Sequence, residues 1–162
     1  MSTLKARMAG NPTVRIRPAR MSDLDALVEL ENRSFTSDRM SRRQWRRHLA
    51  NASACVLVAQ ADQPMAGAAI VFFRKNSTIA RLYSLAVDTG LRGLGIGELL
   101  LAACEAQALA RKCLGLRLEV RTDNTAAQQL YLKRGYRSIG ELSDYYEDGA
   151  PALRLEKSLR SR

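Results

Sequence analysis

A single mixed α/β domain is the fold class this sequence predicts. Three observations point to it. Short runs with apolar residues at period two recur along the chain, helix-period stretches lie between them, and the two kinds alternate in a definite order. Read from the N-terminus the order is β-α-α-β-β-β-α-β-α-β-β, an antiparallel meander followed by strand–loop–helix units. Residues 1–12 read as a flexible tail and 13–162 as one domain, with no internal repeat or linker.

The elements follow in turn. "TVRIRPA" (13–19) sets Val14 and Ile16 against Arg15 and Arg17, the pattern of a half-buried strand. "SDLDALVELENRSF" places Leu24, Leu27, Val28 and Glu31 at helical spacing, with Ser22 as the expected N-cap and Asp25 three residues on. "SRRQWRRHLAN", from Ser41, predicts a second short helix. "ACVLVAQ" (54–60) and "MAGAAIVFFR" (65–74) predict a hairpin closed by "ADQP". "TIARLYSLAV" (78–87) is the longest strand signal. A glycine loop and a helix from about Gly95 to Lys112 follow, with Leu99, Leu100, Ala103, Gln107 and Ala110 near one face. "LGLRLEV" (114–120) alternates Leu116, Leu118 and Val120 with Arg117, Glu119 and Arg121. "NTAAQQLYLKRG" (124–135) is a helix with Asn124 as cap and Gly135 as stop. "YRSIGELSDYY" and "ALRLEKSL" end the chain as two strands around "EDGAP".

Composition narrows the setting. The 162 residues are 46% hydrophobic and 26% charged, values of a globular chain long enough for a real core. No apolar run approaches the roughly 20 residues of a membrane span, and the first residues lack the apolar stretch of a secretory signal. Cys55, Cys104 and Cys113 show no C-x-x-C spacing, so they read as buried thiols in a reducing cytoplasm. The net charge of +10 favours acidic ligands, acidic peptides or nucleic acid as partners. "RRQWRR" (42–47) offers either a basic docking patch or a solvated helix face with Trp45 in the core. The single histidine, His48, reads as a surface residue and cannot form a metal site alone.

The most informative stretch is "LAVDTGLRGLGIGELL", in which Gly93, Gly95 and Gly97 join a strand to a helix. Such a turn presents free N–H groups and a positive dipole end to a phosphate, and small residues let the ligand approach the backbone. Two common phosphate loops are excluded. A Walker A loop ends in Gly-Lys-Ser/Thr, whereas Glu98 and Leu99 follow Gly97. A G-x-G-x-x-G fingerprint needs glycine where Glu98 or Leu100 stands.

What fits is R-x-x-G-x-G, from Arg92 through Gly95 to Gly97. Here the chain resembles the GNAT superfamily of acyl-CoA-dependent N-acetyltransferases, whose loop is Q/R-x-x-G-x-G/A. "LYSLAVD" precedes the loop. "LEVRTDNTAAQQLYLKRGY" follows it, and resembles the L-E-V-R-x-x-N-x-x-A-x-x-L-Y-x-x-x-G-F pattern of the ribosomal-protein-alanine N-acetyltransferase branch, with Tyr136 for the final Phe. The resemblance runs over roughly residues 13 to 159.

The resemblance implies a mixed, mostly antiparallel sheet of about seven strands flanked by about four helices. It implies acetyl-CoA as acyl donor; no metal is expected, because one histidine cannot make a metal site and no carboxylate cluster invites one. The backbone of Leu85, Ala86 and Val87 would run along the pantetheine arm, with the Val87 N–H serving as a small oxyanion hole. Arg92, Gly93, Leu94, Gly95, Ile96, Gly97 and Glu98 would hold the pyrophosphate, and Asn124 would lie near the pantetheine. By the same resemblance Glu119 is the general base and Tyr131 the general acid. Their residue types also leave plainer roles open, as an ion-pair partner of Arg117 or Arg121 and as a packed aromatic. Phe35, Tyr145 and Tyr146 would wall the acceptor groove. The chain reads "FTSDRM" where that branch carries a proline–tryptophan pair.

The implied activity is transfer of an acetyl group to the α-amino group of a protein or peptide, acidic or ribosomal, by direct attack in a ternary complex. A small-amine acceptor and a non-catalytic acyl-CoA sensor are the alternatives. The net charge of +10 disfavours polycations, and a sensor would need neither Glu119 nor Tyr131.

Overall fold

The computed structural model describes residues 4–7, 13–61 and 65–159. Its strands are β1 (Leu4–Arg7), β2 (Thr13–Pro18), β3 (Ala54–Gln60), β4 (Met65–Phe72), β5 (Ile79–Val87), β6 (Gly115–Arg121), β7 (Arg137–Leu142) and β8 (Ala152–Ser158). The helices are α1 (Leu24–Ser34), α2 (Arg42–Ala50), α3 (Ile96–Ala110) and α4 (Thr125–Lys133). From β2 onward this is the order the sequence predicts. The addition is β1, which pairs antiparallel with β2 inside the stretch read as a tail, Leu4 opposite Ile16. The rest of that stretch, and residues 62–64 of the "ADQP" turn, lie outside the described residues.

All eight strands form one sheet in the order β1-β2-β3-β4-β5-β6-β8-β7. Every pairing is antiparallel except β5 with β6. β3 is buried on both faces because helices cover both. Val56 and Val58 pack with Leu27, Leu30 and Trp45 of α1 and α2. Cys55 and Leu57 pack with Leu100 and Cys104 of α3 on the other side. The three cysteines are all buried thiols. None of the described helices is long and apolar enough to cross a membrane.

Three local expectations change. Ser22 does not cap α1: Met21–Asp23 form a 3-10 turn, and the Asp23 carboxylate accepts the Arg20 N–H at 2.7 Å while pairing with Arg17 at 2.8 Å. A carboxylate already drawn to a guanidinium is the better acceptor there. In α3 the buried residues are Ile96, Leu100, Leu101, Ala103, Cys104 and Ala108, while Ala110 is exposed. This face is wider than the predicted one because α3 crosses strands from β2 to β6. His48 is half-buried, not a free surface residue. Its ring lies 5.0 Å from Phe72 and 6.1 Å from Tyr83, and burial lowers its pKa. Trp45 is in the core and the arginines around it are exposed.

The feature that creates the site is a gap. β5 and β6 pair from Ile79↔Gly115 to Leu82↔Leu118 and then part. A bulge puts Tyr83 out of register with β4 just where they separate. Beyond it β5 stays on β4, with Leu85, Ala86 and Val87 opposite Ala69, Ala68 and Gly67. Among the described residues no strand lies beside its other edge.

Candidate active site

That open edge is the wall of a cleft of about 1170 Å³. Every site residue named from the sequence lines it except Leu94. The backbone directions follow from the register. The Asp88 N–H donates to Ala66 O at 2.8 Å, toward β4. Peptide directions alternate along a strand, so Leu85 and Val87 present their N–H and C=O groups to the cleft, and Ala86 presents its own to β4.

The floor is the glycine turn. Gly93 (φ +82°) and Gly95 (φ +83°) are left-handed, a conformation that side chains with a Cβ rarely adopt. Gly95 is the N-cap of α3. Gly97 stands where a Cβ would come 3.4 Å from Leu130 and 3.7 Å from Val87. Among the described residues no protein acceptor takes the backbone N–H of any residue from Arg92 to Glu98, and the next donor, Leu99, bonds to Gly95 O. The fifteen-residue helix behind them adds its dipole, so this row of donors suits an anion. The Glu98 carboxylate is turned aside to Arg134 and to Lys133, 3.6 Å away, and the Arg134 hydrogen bond holds its pKa below the usual carboxylate range. Asn124 caps α4, its Oδ1 accepting the Ala127 N–H at 3.1 Å. Among the described residues its amide nitrogen has no acceptor.

Glu119 and Tyr131 come from opposite faces of the sheet. Leu118 and Val120 belong to the α3 face, so Glu119 points to the α1 face, while Tyr131 packs with the α3 cluster. Both reach the cleft because the sheet is parted there. The Glu119 side chain is 4% exposed and faces Arg81 Nη2 at 2.5 Å and Arg154 Nε at 3.4 Å. Tyr145 donates its hydroxyl to Glu119 Oε1 at 3.2 Å and accepts from Arg81 Nη2 at 2.7 Å. The ion-pair partners are therefore not Arg117, which holds Glu156 at 3.2 Å, or Arg121, which holds Asp148 at 2.6 Å. Arg154 is the β8 register partner of Glu119 and Arg81 sits on the neighbouring row of β5, so both come from adjacent strands.

Tyr131 is buried and stacks edge-on with Tyr136 at 5.6 Å. Its hydroxyl has no hydrogen-bond partner among the described residues, and burial pushes its pKa well above that of a free phenol. It therefore stays protonated and its proton is uncommitted.

The outer wall joins two loops. The Glu147 N–H donates to Asp38 Oδ1 at 3.2 Å, and the Asp38 N–H donates to Glu147 Oε2 at 3.4 Å, tying the α1–α2 loop to the β7–β8 loop. Phe35, half-buried at the end of α1, lies on this wall. Tyr145 and Tyr146 stand edge-to-face at 4.9 Å, with the Arg121 guanidinium 5.0 Å over Tyr146. Burial raises the Tyr146 hydroxyl to about 12. Glu31, on the same wall, is 3% exposed and accepts the Met40 N–H at 2.8 Å. Burial raises its pKa. Sequence reading missed Arg81, Arg154, Asp38 and Glu31 as site residues. For the two arginines a signal existed in the polar rows of "IARLY" and "ALRLE", which flank the Glu119 row.

Comparison with known proteins agrees with this architecture. The acetyltransferase (GNAT) family profile matches residues 24–136. A Bacillus subtilis (strain 168) protein provisionally named a ribosomal protein bS18-alanine N-acetyltransferase is 32% identical over 139 residues, 85% of this chain and 91% of its own. An N-alpha-acetyltransferase of Sulfurisphaera tokodaii is 30% identical over 156 residues, 90% of this chain and 93% of its own. The crystal structure of the Escherichia coli ribosomal-protein-S18-alanine N-acetyltransferase superimposes with a TM-score of 0.82 at 24% identity, covering 92% of this chain and 96% of the other.

Proposed function

The chain belongs to the acetyltransferase (GNAT) family and is an N-acetyltransferase, and from that premise we propose that it carries the acetyl group of acetyl-CoA to the free α-amino group of a protein or peptide. The observation that carries this reading is the meeting of three features in one cleft: a row of free N–H donors, a carboxylate and a protonated phenol. The names of the Bacillus and Sulfurisphaera relatives, each similar over most of its length, favour a protein acceptor.

The residues fit acetyl-CoA. Its pyrophosphate would lie on the amides from Arg92 to Glu98, and its pantetheine amides would pair with the open edges of Leu85 and Val87, near Asn124. When bound it supplies a thioester, an activated acetyl group with a thiol leaving group. Glu119 takes a proton from the acceptor ammonium, a small step because an α-amino group has a pKa of about 8. The amine nitrogen then bonds to the thioester carbon while the C–S bond breaks, with the Val87 N–H placed to stabilise the oxygen. Tyr131 gives its proton to the departing sulfur and is restored by the proton the nitrogen sheds. Ammonium and thioester become amide, thiol and one proton.

Gly95→Val tests the donor half. A β-branched residue at φ +83° is strained by about 1–3 kcal/mol. Its relief would turn the first amides of α3 away from the phosphates. CoA affinity measured by calorimetry is expected to fall about tenfold or more, with a lower Tm. Unchanged affinity would take the pyrophosphate off this loop.

The acceptor half is tested by thiol release from acetyl-CoA over three acceptor classes: peptides with free small N-terminal residues, N-blocked lysine peptides and small amines. Turnover is expected with the first class. Turnover confined to small amines would overturn the acceptor reading, and silence throughout with CoA still bound would favour a sensor.

A further inference from the structure

Two guanidinium groups share the single carboxylate of Glu119, at 2.5 Å from Arg81 and 3.4 Å from Arg154. The nearby acids are held elsewhere, Glu156 by Arg117 at 3.2 Å and Asp148 by Arg121 at 2.6 Å. At Glu119 itself two guanidinium groups thus face one carboxylate, while Arg121 carries a second acid, Asp123, at 3.1 Å. The Arg81 group is accessible: its side chain is 44% exposed and lies on the cleft wall, against 4% for Glu119. Arg81 also occupies the oxygen a base would use. Its guanidinium nitrogen lies 2.5 Å from Oε1, closer than the Tyr145 hydroxyl at 3.2 Å, while donating its hydrogen bond to the Tyr145 oxygen at 2.7 Å, so a cation already stands against Oε1 where the acceptor ammonium must come.

We infer that Arg81 recognises a carboxylate on the acceptor and, by passing from Glu119 to that carboxylate as the acceptor enters, releases Oε1 of Glu119 toward the amine. The acceptor this fits is a peptide with a free N-terminus and Asp or Glu at its second or third residue. The inference rests on the N-terminal acceptor reading above. Tyr145, bonded to both groups at 3.2 and 2.7 Å, keeps Glu119 in place when the arginine leaves. Arg81 is then both a specificity determinant and a gate on the base. An acidic acceptor should raise kcat as well as lower KM, whereas a guanidinium that merely packs would do neither.

The experiment compares peptide pairs that differ only as Asp against Asn, or Glu against Gln, at the second or third residue. They are assayed with the native enzyme, Arg81→Gln and Arg81→Lys, with CoA binding as the check on folding. The native enzyme is expected to favour the acidic member by about tenfold or more in kcat/KM, the size of a charge-assisted pair. Arg81→Gln is expected to erase the preference and Arg81→Lys to restore part of it. Native enzyme indifferent to the substitution overturns the inference, and that arm decides alone should Arg81→Gln fail to bind CoA. A preference that survives in a folded Arg81→Gln overturns it too. In both cases the peptides are still acetylated and the N-terminal reading stands. If no free-N-terminal peptide is acetylated, that reading and this inference fall together.

Discussion

Glu119→Gln is expected to lower kcat/KM for a peptide acceptor by about 10²–10⁴-fold, the usual worth of a positioned general base. The amide keeps the shape of the side chain and can still accept from Tyr145, so the cleft keeps its form. What disappears is the capacity to take a proton. The cost in stability is small despite the 4% exposure of Glu119, because its partners Arg81 and Arg154 are 44% and 37% exposed and water takes over their solvation. About 1 kcal/mol or less is expected. CoA binding should be unchanged, since no described polar contact joins Glu119 to the glycine turn. Steady-state kinetics and a CoA titration on one preparation check both statements. A variant with near-native kcat/KM would move the base elsewhere, with Glu31 and its burial-raised pKa as the next candidate.

Tyr131→Phe is expected to lower kcat by about 10²-fold or more with little change in KM for acetyl-CoA. The reasoning is separable from packing. The ring lies at 5.6 Å from Tyr136 inside the core, and phenylalanine keeps that ring. Only a hydroxyl with no protein partner is lost. That hydroxyl reaches the cleft and is not sealed in the core, so water can serve it and the variant should be about as stable as the native protein. Thermal melting and pre-steady-state thiol release together discriminate. A fall in both kcat and Tm would point to a structural role, whereas a fall in kcat alone marks the proton donor.

The pattern of legibility is physical. Glu119, Tyr131 and the glycine turn could be brought to one cleft by the family resemblance, because each sits in a contiguous stretch that matches the family's pattern. β6 alternates cleanly, so the polar row of Glu119 was evident. Asn124 and Gly135 stood at the ends of α4, where their capping chemistry requires them. The partners of Glu119 were not legible, because they lie 38 residues before it and 35 after it on strands whose register only the sheet defines. Arg117 and Arg121 looked closer along the chain but fall beside other acids. The parting of β5 and β6 was equally hidden: a bulge at Tyr83 leaves no mark in the hydrophobic pattern, yet it lets side chains from both faces share one cleft. His48 escaped because a lone polar residue on a basic helix reads as exposed until Phe72 and Tyr83 are placed against it. The Asp38–Glu147 tie spans 109 residues and joins two loops with no periodicity at all.

One measurement tests the central claim most directly. A peptide bearing a free N-terminus, a glutamate at its second residue and one internal lysine is incubated with acetyl-CoA and the native enzyme. The acetyl group is then located by fragment-ion mass spectrometry. A single acetyl group on the α-nitrogen, formed by the native enzyme and not by Glu119→Gln, is the predicted result. Acetylation of the lysine alone, or of the α-nitrogen at equal rates by both enzymes, would contradict the account.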